Sequence, residues 1–321
     1  MQQQRQWQPM DLDRVKPIPI GQRRNIVHRD QFRPLCDPEG SIEDLFDSLP
    51  DILAARDLKA AAEAVANSLE NGALVVAALG AHVVKVGMGP LIIDLMERGV
   101  LSAIAMNGAT AIHDLELALI GETSEDVEQN IADGSFGMSA ETASAFRESG
   151  LEGARGGGLG AALGHWIQSA ESPHAELSML AAAQRLGIPA TVHVAFGTDI
   201  VHMHPEVAGA PMGEATSIDF RILATVVNEL ENGCWLNVGS AVMMPEVFLK
   251  VVNIARNMGQ PLDGITAINF DMLLHYRTSK NVLERPVHRG ISLIGHHEIN
   301  LPLFRLAVLQ KMRTRASGEA I

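Results

Sequence analysis

The amino-acid sequence predicts an α/β fold with a doubly wound, mostly parallel β-sheet. Short apolar runs without polar alternation, such as residues 72–78, are typical of strands buried on both faces. Amphipathic segments of about 10 to 15 residues separate these runs and predict helices. Because strands that alternate with helices form βαβ units, we expect a sheet covered by helices on both faces.

The regular pattern begins at Ser41, which we predict as a helix N-cap because Glu43 and Asp44 follow in the first turn. Residues 57–69 are alanine-rich and amphipathic and predict the helix before the first strand. The later predicted strands are residues 102–105, 190–195, 234–238, 264–269 and 291–294. The later predicted helices are residues 90–98, 110–119, 177–186, 220–231, 245–257 and 301–313. No repeat or long linker divides this pattern, so we expect residues 41–321 to form one α/β domain.

Residues 1–40 differ from the rest of the chain and predict an extended N-terminal arm. Each proline in this segment fixes φ and removes a backbone donor. The prolines and arginines that define the arm are Pro17, Pro19, Arg23, Arg24, Arg29, Arg33, Pro34 and Pro38. Such a basic arm in an acidic protein lies over a neighbouring subunit or forms a frayed terminus, and the sequence leaves both alternatives open.

The charge balance excludes some classes of partner. The chain has 321 residues, of which 38 are acidic and 25 are basic, giving a net charge of −13. This charge argues against a nucleic-acid groove or an anionic membrane surface, and it suits a small cationic substrate. No apolar stretch approaches the roughly 20 residues of a membrane span, and the two cysteines are far apart. We therefore expect a cytoplasmic protein that binds no membrane.

Polar residues collect in the loops that follow the predicted strands. In an open parallel sheet, ligands bind outside the carboxyl ends of the strands. The loops with such residues are 80–87, 107–114, 197–206, 237–240, 269–271 and 295–298. Together they predict a dinucleotide-sized pocket, although residues 80–87 lack the Gly-x-Gly-x-x-Gly fingerprint. The glycine run at residues 156–160 predicts a hinge or the turn at the start of a helix.

Histidines in these loops suggest two different chemistries. His113 beside Asp114 is a candidate acid–base pair, with helix capping by Asp114 as the alternative. His202, His204 and Glu206 lie within five residues and are candidate ligands for a divalent metal. The second pattern predicts a metal-dependent hydrolase, which we keep as an alternative function.

Lysine is scarce, and only two of the six lysines fall near the predicted pocket. Lys85 lies in the first loop, and Lys280 lies in the polar stretch after Asp271. If the enzyme forms an imine, one of these two amines is the expected nucleophile.

Several segments resemble deoxyhypusine synthase in their order and spacing. They are residues 80–119, residues 161–172 with Ile188-Pro189, and residues 198–269 with the motifs Thr198-Asp199, Val238-Gly239-Ser240 and Ile268-Asn269. The resemblance implies a Rossmann-like, NAD-binding fold and a homotetramer with active sites at subunit interfaces. It also implies oxidation of spermidine with NAD, an imine on an enzyme lysine, and transfer of the aminobutyl group to a lysine of a protein partner. Homospermidine synthase, a relative, transfers that group to putrescine.

The chain departs from this family at reactive positions. Residues 281–288 stand where the family has its catalytic lysine in a Trp-Gly-Lys context, and Lys280 lies upstream. Residues 243–246 replace paired histidines, and Ala81-His82 replaces a serine–asparagine pair. Arginine cannot replace lysine as an imine-forming nucleophile because its guanidinium stays protonated. A non-catalytic ligand-binding homologue therefore remains an alternative.

The segment 106–116, followed by residues 121–124, also resembles the ornithine cyclodeaminase domain of bifunctional arginine dihydrolase proteins. That resemblance implies elimination of ammonia from a small cationic amino acid through a redox step, which needs no transfer lysine.

We thus predict an NAD-dependent enzyme that performs transfer or elimination on a polyamine or a small cationic amino acid. The expected cofactor-binding residues are Gly80, His82, Asn107, Gly108, Asp199, Gly239, Ser240 and Asn269, with Asp199 alternatively anchoring a cationic amine. The expected catalytic residues are His113, Asp114, Lys280, His297 and Glu298.

Overall fold

The computed structural model describes residues 7–317, which contain one six-stranded sheet in the order β3-β2-β1-β4-β5-β6. All five strand pairings are parallel, so the prediction of a doubly wound, parallel α/β fold is confirmed. The strands are β1 (Val75–Leu79), β2 (Ala103–Asn107), β3 (Ala190–His193), β4 (Cys234–Val238), β5 (Thr266–Asp271) and β6 (Arg289–Ile294). The strand order reverses between β1 and β4, which makes this junction the topological switch point of the sheet.

Thirteen α-helices connect and cover the strands within residues 7–317. They are α1 (Ile42–Ser48), α2 (Leu53–Glu70), α3 (Ala81–Lys85), α4 (Gly89–Glu97), α5 (Gly108–Ile120), α6 (Val127–Asp133), α7 (Ala140–Glu152), α8 (Leu159–Ser169), α9 (Met179–Leu186), α10 (Gly209–Asn228), α11 (Met243–Asn257), α12 (Tyr276–Thr278) and α13 (His297–Ser317). None of these helices is long and apolar enough to cross a membrane.

The sheet separates two apolar cores. Val75, Ala77 and Leu79 of β1 pack on one face, in a cluster that includes side chains of α2, α4 and α13. Val76 and Ala78 pack on the other face, against α10 and α11. Because successive side chains of a strand point to opposite faces, burial of both sets explains why β1 has no polar alternation.

The predicted strands are all present, with ends displaced by no more than three residues. Ser41 caps α1 as predicted, and its hydroxyl accepts a hydrogen bond from the backbone N–H of Asp44. Gly158, with φ of 83°, stands directly before α8, which confirms the turn expected in the glycine run. The prediction for α10 was wrong at its start, because Pro211 lies in the first turn, where a helix tolerates proline.

No range was predicted for the helices α3, α8 and α12, although the turn before α8 was expected, and two further helices, α6 and α7, were not predicted at all. They lie between β2 and β3, and α6 has no buried residue at all. The buried positions of α7 are mostly small or polar, with Phe146 as its one large buried side chain. A helix of this composition lacks the apolar stripe on which the prediction of helices depends.

Residues 7–40 run largely exposed, with two short 3₁₀ turns at Ile20–Gln22 and Arg29–Gln31. The carbonyl of Gln31 accepts a hydrogen bond from the backbone N–H of Asp51. The assignment of this arm to a neighbouring subunit stays a prediction.

Candidate functional site

The two loops at the switch point approach each other through glycine backbones. A Cβ placed on Gly80 would lie 2.0 Å from the carbonyl oxygen of Gly239, and Gly239 has φ of 65°. Gly80 therefore permits a close backbone contact between the β1 and β4 loops, and Gly239 permits a left-handed turn. We call the site formed here by Gly80, His82, Asn237, Gly239 and His297 the β1–β4 crevice.

Two histidines lie at this crevice. His297 is the first residue of α13 and is buried, and its Nε2 atom would lie 2.9 Å from a Cβ placed on Gly239. The exposed ring of His82 lies 5.8 Å from the ring of His297, measured between centroids. Burial lowers the pKa of His297, and the nearby His82 lowers it further, while Asp271 opposes the shift. His297 is therefore held toward its neutral form, in which one ring nitrogen accepts a hydrogen bond.

A row of polar side chains crosses three strands beside the crevice. The amide nitrogen of Asn237 donates to the Oδ1 atom of Asn269 and to the carbonyl of Ser240, and Asn269 donates to Ser292 Oγ. The hydroxyl of Ser240 accepts a hydrogen bond from the backbone N–H of Met244 and so satisfies a donor in the first turn of α11. Asn269 and Ser240 thus support the crevice through the protein's own hydrogen bonds.

Two buried polar atoms at the crevice have no hydrogen-bond partner within residues 7–317. They are Oδ1 of Asn237 and Nδ1 of His297. Buried polar atoms are almost always hydrogen-bonded, so such exceptions mark a place where a ligand or water can bind. The residues fit a polar ligand such as a nucleotide, but β2 ends in Asn107, where dinucleotide-binding folds carry an acidic residue that binds the ribose.

A second site, a cavity of about 190 Å³, lies against one face of α5. Ala109, Ile112, His113 and Glu116 share this face because they recur at helical spacing. Its other lining residues are Lys85, Ser124, Glu125, Val127, Phe136, Thr198, Asp199 and Ile200. We call this cavity the α5 pocket; it brings together three carboxylates, one imidazole and one amine.

Asp199 lies in the α5 pocket, packed against the start of α5. Its Oδ2 atom accepts a hydrogen bond from the backbone N–H of Ala195 at 2.8 Å, and it would lie 2.1 Å from a Cβ on Gly108. Burial raises the pKa of Asp199. Asn107 caps α5, and its Oδ1 atom accepts hydrogen bonds from the backbone N–H and the hydroxyl of Thr110. The eight residues predicted as one cofactor pocket are thus divided. Five of them form or support the β1–β4 crevice, Asp199 lines the α5 pocket, and Asn107 and Gly108 stand at the start of α5.

His113 is hydrogen-bonded to Thr123 and not to Asp114. The Nδ1 atom of His113 lies 2.6 Å from the hydroxyl of Thr123, and that hydroxyl donates to Oε2 of Glu116 at 2.5 Å. The side chain of His113 is 18% exposed and lines the α5 pocket.

Asp114 is turned away from His113 and into the protein. Its buried carboxylate accepts hydrogen bonds from the hydroxyl of Ser178 and from the backbone N–H groups of Met179 and Leu180. Burial raises its pKa to about 6, and these hydrogen bonds oppose the shift. Asp114 therefore supports the start of α9 beside its N-cap, Ser178, and the expected pairing with His113 is corrected.

Of the other predicted catalytic residues, His297 lies at the β1–β4 crevice, whereas Lys280 and Glu298 lie outside both sites. Lys280 forms an ion pair with Glu284 on the surface of a short π-helical turn. Glu298 is half-exposed and lies 3.8 Å from Nδ1 of His296.

Lys85, the other lysine considered as an imine-forming nucleophile, lines the α5 pocket. It has no hydrogen bond or ion pair within residues 7–317.

The predicted metal ligands do not converge. Within residues 7–317, no group of three or more His, Cys, Asp or Glu side chains is arranged to hold a metal ion. His202 stacks on Phe196, His204 contacts the carbonyl of Gly137 at 2.9 Å, and Glu206 lies 3.8 Å from Arg147. The hypothesis of a metal site at His202, His204 and Glu206 is therefore wrong for this arrangement.

Solved structures share this fold, whereas no family model and no curated protein matches the sequence. A conserved LOR/SDH protein from Methanococcus maripaludis S2 matches with a TM-score of 0.52 and 16% identity, over 91% of this chain and 76% of that one. The ternary complex of AgrE with ornithine and NAD⁺ matches with a TM-score of 0.52 and 17% identity, over 83% of this chain and 34% of that one. A candidate deoxyhypusine synthase from Entamoeba histolytica matches with a TM-score of 0.51 and 12% identity, over 87% of this chain and 96% of that one.

These likenesses establish the fold. The expected similarity to deoxyhypusine synthase is confirmed at that level, and the chain spans about a third of the length of AgrE.

Sequence reasoning missed three residues at or beside the α5 pocket, namely Glu116, Thr123 and Glu125. Glu116 stands three residues after His113, a spacing that places both on one helix face, so this part of the site has a readable signal. Thr123 follows Gly121, which ends α5 in a left-handed turn with φ of 72°. Nothing in the sequence shows that this turn returns Thr123 to His113.

Proposed function

We propose that this protein is an NAD-dependent enzyme that acts on a small cationic amine, either an amino acid or a polyamine, bound in the α5 pocket. The observation that carries the proposal is the composition of that pocket, where Glu116, Glu125 and Asp199 surround a cavity that also holds an imidazole. Three carboxylates provide acceptors for ammonium groups, and His113 provides a proton acceptor.

The β1–β4 crevice is the proposed binding site of NAD. His82, Asn237 and His297 would contact it, because two of these side chains have buried polar atoms without partners and the third is exposed beside them. When bound, NAD would supply an acceptor for the hydride lost by the carbon that bears the amine. AgrE, which shares the fold, binds ornithine and NAD⁺ together, and this supports the choice of ligands.

The chain's own residues have separate tasks in this proposal. The carboxylates of the α5 pocket bind and orient the ammonium groups of the substrate. The Nε2 atom of His113 takes the proton that the amine nitrogen releases on oxidation. Lys85 is the amine available in the pocket, whereas Lys280 is ion-paired elsewhere, so any imine on the enzyme would form on Lys85. An elimination needs no such imine and is the simpler reaction for this pocket.

The proposal includes a homo-oligomer, expected to be a tetramer, in which a second copy covers the edge that carries both sites. Large apolar side chains are exposed at this edge, at the end of a strand, on loops that follow the strands, and on the helices that follow β5 and β6. They are Phe196, Val242, Met272, Leu273, Leu274, Tyr276, Ile294 and Ile299. An apolar surface of this kind supports protein–protein contact. Sedimentation velocity should give an oligomer for the wild type and for Leu151→Glu, and a smaller species for Leu274→Glu; a monomeric wild type would contradict the proposal.

Two measurements test the function. Titration calorimetry measures binding of NAD and then of ornithine or spermidine, and absorbance of the reduced cofactor is followed after each amine is added. We expect NAD to bind and reduced cofactor to appear when one of the two amines is added. In an elimination the hydride returns to the product, so the reduced cofactor is transient and turnover is measured as released ammonia. Binding of both ligands without turnover would identify a non-catalytic homologue. Failure of NAD to bind, alone or with either amine, would overturn the proposal.

A further inference from the structure

We infer that Thr123 is a positioning residue that holds the proton of neutral His113 on Nδ1 and leaves Nε2 as the proton acceptor of the α5 pocket. The contacts that carry this inference are the 2.6 Å approach of His113 Nδ1 to Thr123 Oγ1 and the 2.5 Å hydrogen bond from Thr123 Oγ1 to Glu116 Oε2. The consequence for catalysis rests on the proposed function, whereas the tautomer of His113 does not.

The direction of the two hydrogen bonds follows from the groups involved. An ionised carboxylate only accepts hydrogen bonds, so the single hydroxyl proton of Thr123 is donated to Glu116. The Thr123 oxygen is then left with lone pairs and accepts from His113, which requires a proton on Nδ1. In neutral imidazole the other nitrogen carries no proton, so Nε2 is the basic atom.

The direct contact between His113 and Glu116 cannot replace this arrangement. Their closest nitrogen–oxygen distance is 3.5 Å, longer than a good N–H···O hydrogen bond. The hydroxyl of Thr123 therefore bridges the two residues. Of the other charged groups that line the α5 pocket (Lys85, Glu125 and Asp199), none is hydrogen-bonded to His113 in the part of the chain that the structure describes.

The chain segment that carries Thr123 is itself held in place. It leaves α5 through the left-handed Gly121, and Ser124 directly after Thr123 also has a positive φ of 69°. Glu125 then accepts hydrogen bonds from the side chain of Asn130 and from the backbone N–H of Gly137. These contacts fix the turn independently of the Thr123 hydroxyl, so a change at Thr123 can alter the tautomer without displacing the segment.

The experiment is long-range ¹H–¹⁵N correlation NMR of the histidine rings in the full chain at alkaline pH. His113→Gln assigns the signal by removing it. In the wild type and in Thr123→Ser, which keeps the hydroxyl, Nδ1 should give a pyrrole-type shift and Nε2 a pyridine-type shift. In Thr123→Val, which keeps the shape and removes the hydroxyl, the tautomer with the proton on Nε2 should become populated. An unchanged His113 signal in Thr123→Val would overturn the inference.

Kinetics with the amine substrate separate this inference from the proposed function. Thr123→Val should lower kcat by about 10- to 100-fold with little change in KM, because a proton on Nε2 of His113 leaves that atom unable to accept the substrate's proton. Thr123→Ser, which keeps the hydroxyl, should have a kcat close to that of the wild type. If the tautomer changes as expected but His113→Gln turns over normally, His113 is not the base and the proposed function fails at that point. If His113→Gln is inactive but Thr123→Val keeps the wild-type tautomer, the proposed function stands and the positioning role of Thr123 is wrong.

Discussion

The β1–β4 crevice and the α5 pocket lie on the same edge of the sheet but are built by different means. The crevice is formed by glycine backbones in close contact and by uncharged polar side chains, two of which are buried with an unpartnered atom. The pocket combines apolar side chains with charged ones, on one face of α5 and on the segments around it. Backbone contact fixes the shape of the crevice, whereas charge defines what the pocket can bind, so the two sites should respond to different mutations.

The largest expected effect comes from breaking the backbone contact of the crevice. Gly80→Ala should destabilise the fold by about 3 kcal/mol, because its Cβ would overlap the carbonyl oxygen of Gly239 and the backbone must move. Chemical denaturation gives the free energy of unfolding. Gly213→Ala on α10 is the matched control. Apart from its own helical turn, no atom of residues 7–317 lies within 4 Å of the added Cβ, so the substitution should stabilise the helix by about 0.5 to 1 kcal/mol. Equal stability of the two variants would show that the crevice tolerates movement.

A second prediction separates Asp114, which supports the wall of the pocket, from the pocket itself. Asp114→Ala leaves the backbone N–H groups of Met179 and Leu180 without their acceptor and should lower the free energy of unfolding by about 1 to 3 kcal/mol. His113→Ala, at the neighbouring position, should change stability much less because that side chain lines a cavity. A larger loss for His113→Ala in urea denaturation would reverse the roles that the structure gives to these two residues.

The pH dependence of stability tests the same carboxylate. The folded-state pKa of Asp114, about 6, lies above its ordinary value of 3.8, so the folded protein binds the proton more tightly. Its contribution is therefore fully present below about pH 4 and is lost as the pH rises to about 6. Asp114→Asn should lack this decline, measured as the difference from wild type across that pH range. A wild-type curve that rises relative to Asp114→Asn would show that the hydrogen bonds to the carboxylate outweigh its burial.

Lys85 should decide which kind of amine the pocket prefers. Its ammonium is unpaired in the described chain and would bind the carboxylate of an amino acid, whereas a diamine has no such group. Lys85→Met should weaken binding of ornithine by about 10- to 100-fold and leave putrescine unchanged or tighter. Calorimetry of both ligands provides the comparison, and Lys280→Met, which removes a surface ion pair, is the control. Equal losses for ornithine and putrescine would assign Lys85 to a role other than carboxylate binding.

The contrast between the two sites also explains how far sequence reasoning reached. The strands were predictable because burial on both faces leaves unmixed apolar runs, and the loops were predictable because each follows a strand. Gly80, Gly239 and Asn269 were thus placed at the correct edge. The pairing of His113 with Thr123 depends on how the turn after α5 folds back, and the burial of Asp114 depends on the position of α9. Both are long-range facts of packing that no local pattern contains.

The smallest expected effect comes from the exposed side of the crevice. His82→Ala should reduce the affinity for NAD only a few-fold, because removal of one exposed polar contact costs about 0.5 to 1.5 kcal/mol, and it should leave stability unchanged. His113→Ala should leave NAD affinity unchanged and weaken the amine instead. Calorimetry of both variants with both ligands therefore gives a two-by-two comparison. Two separate sites predict that each variant weakens binding of one ligand only. If His82→Ala also weakened binding of the amine and His113→Ala also weakened binding of NAD, the crevice and the pocket would be one continuous site.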